Sequence, residues 1–303
     1  MDFAKLFEDD NACTGWDGGC FLFACHEENI TISGEGVIYG QGDKVFIDDD
    51  VDGGAHECPL SVTAFRPRTT FLEDVTNLTV RDITIQDAAF WTLHMAGCHH
   101  VRVQDIKILN DVRGANNDGI DPDCCKDVLI TGCLVKTGDD AIVIKTTKPM
   151  TQRYGASENI VISNCILYSH DSALKIGTET HGDIRNVILS GCVIKDCSRG
   201  VGIWVRDGAT IEDVHIHHVT GNVLKYADGI GEHRTRMWWG NGEPIFLNAT
   251  YRNGEHHNPG KIRNITFDHI YMKAESSIFV AGEKDAVIEN VQLTDLNITM
   301  CHQ

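Results

Sequence analysis

Three aspartates lie in two short motifs: Asp118 in Asn116-Asn117-Asp118-Gly119-Ile120-Asp121, and the doubled Asp139-Asp140 in Gly138-Asp139-Asp140-Ala141-Ile142. Carboxylates gathered in one place repel, and burial raises the pKa of at least one of them. A carboxylic acid held beside a carboxylate is what glycoside hydrolysis needs, one group to protonate the leaving oxygen and another to activate water. The sequence offers no competing constellation: it contains no G-x-S-x-G, Walker loop, H-E-x-x-H or paired C-x-x-C. A doubled Asp opening an apolar strand would be costly without a task, so Asp118, Asp139 and Asp140 are expected to be catalytic. Asp121 and Asp123 read instead as turn caps, the commoner use of Asp.

For these side chains to meet, a repeating scaffold must position them. A pattern of Asn, Asp or His followed by alternating apolar and polar residues recurs at Asn29, Asn77, His100, Asp127, Asn159, Asn186, Asp213, Asn264 and Asn290. From Asn77 onward the steps are 23, 27, 32, 27, 27, 51 and 26 residues. Short strands at near-constant spacing, each unable to bury its apolar face alone, predict a solenoid. The fold expected is all-β, a right-handed parallel β-helix forming one domain over 1–303. Residues 1–28 are expected to cap it and 222–260 to leave it as a long loop. The step of 32 implies a short insertion. Adjacent coils lie about 4.8 Å apart, and Asp118 and Asp140, 22 residues apart, are about one coil apart. Cys133, Cys165 and Cys192 fall at one repeat position and predict an inward ladder of thiols rather than a metal or disulfide site.

Composition narrows the partners. With 26 basic and 44 acidic residues, the formal charge is −18, which argues against nucleic acid. The same field would repel a polyanionic sugar chain unless the groove is locally basic. No apolar run approaches a membrane span, so no membrane partner is expected. No secretory signal is visible at Met1–Glu8, and with the thiol reading of the cysteines this sets an expectation of a cytoplasmic location. No cofactor or metal is implied.

On its two Asp motifs, and on Arg66-Pro67 and Trp91-Thr92-Leu93-His94, the sequence resembles glycoside hydrolase family 28, the polygalacturonase-type enzymes. The resemblance implies inverting hydrolysis of a pectin-like or related plant oligosaccharide, with Asp139 as general acid and Asp118 and Asp140 positioning and deprotonating the water. Two of the family's segments are altered here. Its His-Gly segment aligns with Ser172-Ala173, and its Arg-Ile-Lys segment with Gly202-Ile203-Trp204. The loss of those cations points to a divergent subgroup with a shifted substrate, although Lys175 and Arg206 could replace them and leave an acidic sugar open.

The residues expected to contact substrate are Asn116, Lys145, Lys175, His181, Arg206 and Trp239. Lys145 could neutralise the acidic patch or bind substrate, and could equally be a solvated surface lysine; His181 could belong to an ordinary polar turn, and one of Trp238 and Trp239 could anchor the loop while the other stacks on sugar. The histidines at 256 and 257 read as solvated. Two other classes remain open on this fold. A polysaccharide lyase or uronate epimerase could recruit Asp121, Asp123 and Lys175, and a β-helix could bind carbohydrate without catalysis.

Overall fold

At each recurring Asn, Asp or His from Asn29 to Asn290 the backbone enters the left-handed region, with φ between 51° and 59°. Short polar side chains tolerate that conformation better than others, which is why the pattern marks a corner of every coil. The side chains also form ladders on the outside: Asn159 donates to Asp127 at 2.8 Å, and Asn186 to Asn159 at 2.9 Å. The residues that follow alternate inward and outward. Leu78, Val101, Val128, Ile160, Val187, Val214, Ile265 and Val291 stack in register through parallel pairing. The core is one continuous apolar column along the solenoid axis.

The structure is a computed structural model and describes residues 19–47, 60–62, 65–226, 240–252 and 257–301. Parallel strands wind through three faces, forming a parallel β-helix whose hand follows the right-handed rule for parallel crossovers. The first face carries Leu93–Ala96, Ile120–Asp123, Ile142–Thr146, Ser172–Thr180, Arg199–Val205, Glu243–Ala249 and Phe279–Gly282. The insertion implied by the step of 32 is a helix, Lys148–Tyr154, with Pro149 in its first turn, where a missing N–H costs nothing.

Two expected boundaries shift. Within the cap expected over 1–28, Cys20–Glu28 is a coil strand paired in parallel with Arg68–Arg81. The excursion expected over 222–260 contains Glu243–Ala249, which pairs with strands on both sides and turns Ile245, Leu247 and Ala249 into the core. Its apolar alternation is only five residues long and is preceded by Glu243-Pro244, so it hides between polar flanks. The 51-residue step is therefore one long coil, with Thr210 directly beside Lys261. Trp238, Trp239 and His256 lie outside the described residues.

Candidate active site

The first face places Ile120 beside Ile142, and Gly119 donates its N–H to the Asp140 carbonyl at 2.9 Å. Asp118 and Asp140 therefore sit one coil apart. Asp139, on the bend just before, joins them: the three offer one oxygen each within 4.8 Å of one another. That bend depends on close backbone approach. A Cβ on Gly138 would lie 2.3 Å from the Gly114 carbonyl oxygen, so only glycine fits there. Asn117 fastens the bend, its Oδ1 accepting from the N–H groups of Gly138 at 2.8 Å and Asp139 at 3.1 Å. The trio retains a small exposure of 3–6%, whereas Asp121 and Asp123 have none.

Two buried ammonium groups flank the trio. Lys145 Nζ lies 2.9 Å from Asp118 and 3.1 Å from Asp121, with the Trp91 ring 3.5 Å away. Lys175 Nζ lies 2.9 Å from Asp140 and 3.1 Å from Asp171. Among the described residues, Asp139 accepts from the backbone N–H groups of Asp140 at 2.9 Å and Asn116 at 3.2 Å, with the buried Arg66 guanidinium and Lys175 acting on it from farther off. Burial pushes the Asp118 and Asp139 carboxyls up to about 7, with the Asp118 charge adding to the effect on Asp139. Burial raises Asp140 as well. The cluster titrates as a unit that holds protons near neutrality, and its contacts are unequal: Asp118 and Asp140 each face an ammonium within hydrogen-bond distance. For Lys145, burial favours loss of the proton, but Asp118 and Asp121 outweigh it and hold the amine protonated; Asp140 and Asp171 do the same for Lys175. The spacing of the trio would also suit a divalent cation. The lysines already supply the countercharge at two of the three carboxylates, so the donor set does not fit a resident metal.

The other expected site residues separate. Lys145 and Lys175 belong to the carboxylate cluster itself. Asn116 turns its side chain to Arg66, which donates at 3.1 Å, and gives its backbone N–H to Asp139, so it positions that carboxyl. His181 lies 3.8 Å from Asp207 and Arg206 donates to the Tyr251 carbonyl at 3.3 Å, both at the far ends of the first-face strands. Trp239 lies outside the described residues. Asp121 and Asp123 are not turn caps: both are buried in the strand Ile120–Asp123, where Asp121 faces Lys145 and Asp123 accepts from Thr147 Oγ1 at 2.6 Å and lies 3.3 Å from His94. In-register stacking brings charged partners into this interior layer, which a turn propensity cannot anticipate.

The sequence matches Glycosyl hydrolases family 28 over residues 13–303. The chain belongs to that family. A probable polygalacturonase from Vitis vinifera is 25% identical over 244 residues, covering 76% of this chain and 48% of the relative. An exopolygalacturonase from Platanus acerifolia is 25% identical over 211 residues, covering 65% of this chain and 51% of the relative. The chain spans about half the length of the curated relatives it matches. Among solved structures, a polygalacturonase from Erwinia carotovora ssp. carotovora superposes with a TM-score of 0.69 at 22% identity, covering 100% of this chain and 78% of that one. An exopolygalacturonase from Thermotoga maritima gives 0.61 at 23% identity, covering 88% of this chain and 71% of that one. The right-handed parallel β-helix is the family's fold and this chain's.

Two further residues that spacing alone did not single out touch the carboxylate cluster or the segment that carries it. Asn110 donates to Thr92 Oγ1 at 2.7 Å and to the Asn117 carbonyl at 2.9 Å, bracing the Asp118 segment. Asp171 binds Lys175 and accepts from Arg199 at 2.5 Å. Its signal was present: His170-Asp171-Ser172-Ala173 repeats the frame of Gly138-Asp139-Asp140-Ala141 one coil on. Asn110 gave none, since a polar residue ending an apolar strand is ordinary.

Proposed function

We propose that this chain hydrolyses a glycosidic bond in a pectin-like or related plant oligosaccharide. The observation that carries the reading is the unequal treatment of three neighbouring carboxyls. Asp139 has N–H donors and, among the described residues, no ammonium in hydrogen-bond contact, so it keeps a proton to give to the leaving oxygen. Asp118 and Asp140, each 2.9 Å from a lysine, stay ionised, hold the attacking water between them and take its proton. The family membership supports the same chemistry. The lyase or epimerase reading loses its base, because Lys175 is held protonated by Asp140 and Asp171. A passive binding module gives no reason to bury such a cluster, whose desolvation is costly.

Replacing Asp139 with Asn should lower turnover by about 10²–10⁴-fold on whichever pectic oligosaccharide wild type cleaves, while the variant still unfolds in one cooperative transition; unchanged turnover refutes the assignment. A second reading comes from distance. Inverting pairs usually stand about 6.5–9.5 Å apart and retaining pairs about 5–5.5 Å apart, and here the nearest oxygens lie within 4.8 Å. That closeness favours a covalent intermediate, whereas the ion pairs to lysine blunt both possible nucleophiles. NMR of the first-formed product decides: an inverted anomer supports water held by Asp118 and Asp140, a retained one the double displacement.

A further inference from the structure

The buried charges do not stop at the trio. One coil beyond Asp139-Asp140 stands Asp171-Ser172, and the next two coils set Arg199 beside Ser172 and Glu243 beside Arg199. Outward from the trio the charges alternate. Lys175 Nζ lies 2.9 Å from Asp140 and 3.1 Å from Asp171, and Arg199 lies 2.5 Å from Asp171 and 4.0 Å from Glu243. Asp171 therefore has a cation on each side.

Asp171 is not one of the converging carboxylates. It is 1% exposed, and among the described residues the patch of shared oxygens comprises Asp118, Asp139 and Asp140. It is nonetheless held firmly. Its N–H donates to Ser169 Oγ at 2.8 Å, and its carbonyl accepts from the Ser198 N–H, the Ser198 hydroxyl and the Arg199 N–H, each at 3.0 Å. Ser172 ties it to the trio, giving a backbone N–H to Asp140 and a hydroxyl to Asp171, both at 3.2 Å.

Counting charges shows what such a residue does. Lys175 and Arg199 bring two positive charges into an interior where they act strongly, and Asp140 answers one of them. Asp171 answers the other. Without it both cations would bear on the trio, and Asp139, with no ammonium in contact, would be driven to ionise. Asp139 is acted on from every side, by Asp118 on the preceding coil, Asp140 next to it, Asp171 and Lys175 on the following coil, and the buried Arg66. Burial raises its carboxyl, Asp118 and Asp171 add to that, and Lys175 opposes them.

We propose that Asp171 is a positioning residue for the hydrolysis: it binds Lys175 and Arg199 together, so that Lys175 serves Asp140 while Asp139 is left its proton. This rests on the hydrolase reading and deepens it, by naming the residue that keeps acid and base different. Asp171 acts through Lys175 rather than on the reacting atoms.

The test follows the Asp139 carboxyl itself, by carboxyl NMR of aspartate-labelled protein, its signal assigned by its loss in Asp139→Asn. Asp171→Asn removes a negative charge and loosens both cations, so the Asp139 midpoint should fall by about one pH unit. Arg199→Gln should move the midpoint upward, because Asp171 then draws more on Lys175 and slackens its hold on Asp140. The double variant loses one charge of each sign and should titrate close to wild type. Turnover should follow, the alkaline limb of its pH profile moving down in Asp171→Asn and up in Arg199→Gln, with KM little changed. A residue that merely supports the fold would lower turnover at every pH and leave midpoint and limb in place, and that result overturns the proposal. Shifts of one sign in both single variants overturn it too. If Asp171→Asn does not fold, Arg199→Gln decides: an upward shift supports the proposal, and no shift or a downward one ends it. Failure of the hydrolase reading looks different. Opposite shifts with no pectic oligosaccharide cleaved by wild type would keep the partition of charge and remove the reaction, whereas cleavage with unmoved midpoints would keep the reaction and remove the role of Asp171.

Discussion

Two ladders in this β-helix are built by the same rule and have opposite consequences. On the first face, stacking sets Asp118 above Asp140 and gathers Asp139, Asp171, Lys145, Lys175 and Arg199 around them. Just before the strands Leu134–Thr137, Ile166–Ser169 and Val193–Cys197, stacking sets Cys133, Cys165 and Cys192 in a buried row, each thiol donating to a carbonyl two residues earlier, at 3.3, 3.2 and 3.4 Å. Solenoid register places like on like. Where the repeated group is a small apolar thiol, its neighbour is a packing partner and its hydrogen bond is local. Where the group is a carboxylate, its neighbour is a repulsion that must be countered by cations from adjacent coils, and what remains uncountered is available for proton transfer. The thiol row could lose a member and still be a core; the carboxylate row could not lose a cation so cheaply.

The largest expected effect breaks the charged ladder at its cation. Lys145→Met leaves Asp118 and Asp121 buried without their ammonium, and removing one partner of a buried ion pair costs about 3–5 kcal/mol. Urea melts at pH 7 should show that loss, and it should shrink at pH 5, where the carboxyls can take up protons. A variant as stable as wild type at pH 7 would mean that the lysine is not what holds the stack together.

The next effect is a slope. The Asp139 carboxyl is raised to about 7 in the folded chain by burial and by Asp118, against about 3.9 in an unfolded one. Between those values the unfolded state has released its proton and the folded state has not, so this group's contribution is complete below about pH 4 and is lost as pH climbs through 7. Asp139→Asn cannot ionise. Its melting temperature relative to wild type should therefore rise from pH 4 to pH 8, by the equivalent of roughly 3 kcal/mol. A flat difference would place the shared proton on another member of the trio. Wild-type turnover should fall above pH 7 as the acid loses its proton.

Most of the scaffold could be read in the residues because the corner imposes its own chemistry: a left-handed φ selects Asn, Asp or His, and the core column selects β-branched residues. Asp118, Asp139 and Asp140 were visible for the same reason, since register is additive along the chain. What was hidden depended on contacts across coils of unequal length. Asp121 looks like a corner residue until Lys145, 24 positions later, is seen to reach back to it. Glu243–Ala249 looks like loop because the coil that contains it is nearly twice the usual length. Asn116 was legible as a site residue but not as one that faces Asp139 with its backbone.

Smaller effects sharpen the comparison from the thiol side. Cys165 is buried between Cys133 and Cys192, and its N–H lies 3.5 Å from Cys192 Sγ. Cys165→Ala removes one sulfur from a packed row and should cost about 1–2 kcal/mol in a urea melt, at the low end of large-to-small core changes, with turnover unchanged. A loss of turnover at constant fold would show that the two ladders are mechanically linked through the coils.

The exposed Asn ladder predicts the smallest change and the clearest sign. Asn186 sits at φ 57° and donates to Asn159 at 2.9 Å from a solvent-exposed position. An exposed hydrogen bond between neutral side chains contributes little beyond what water offers, so the conformation decides. Alanine must adopt a left-handed backbone at a cost of about 1–2 kcal/mol, whereas glycine enters it freely. Asn186→Gly should therefore lie within about 0.5 kcal/mol of wild type, and Asn186→Ala about 1 kcal/mol below it, reversing the usual order of these two residues in a strand. If alanine proved the better tolerated, the corner would be held by the side-chain ladder rather than by backbone geometry, and the recurring Asn would need a different explanation from the one that located every coil.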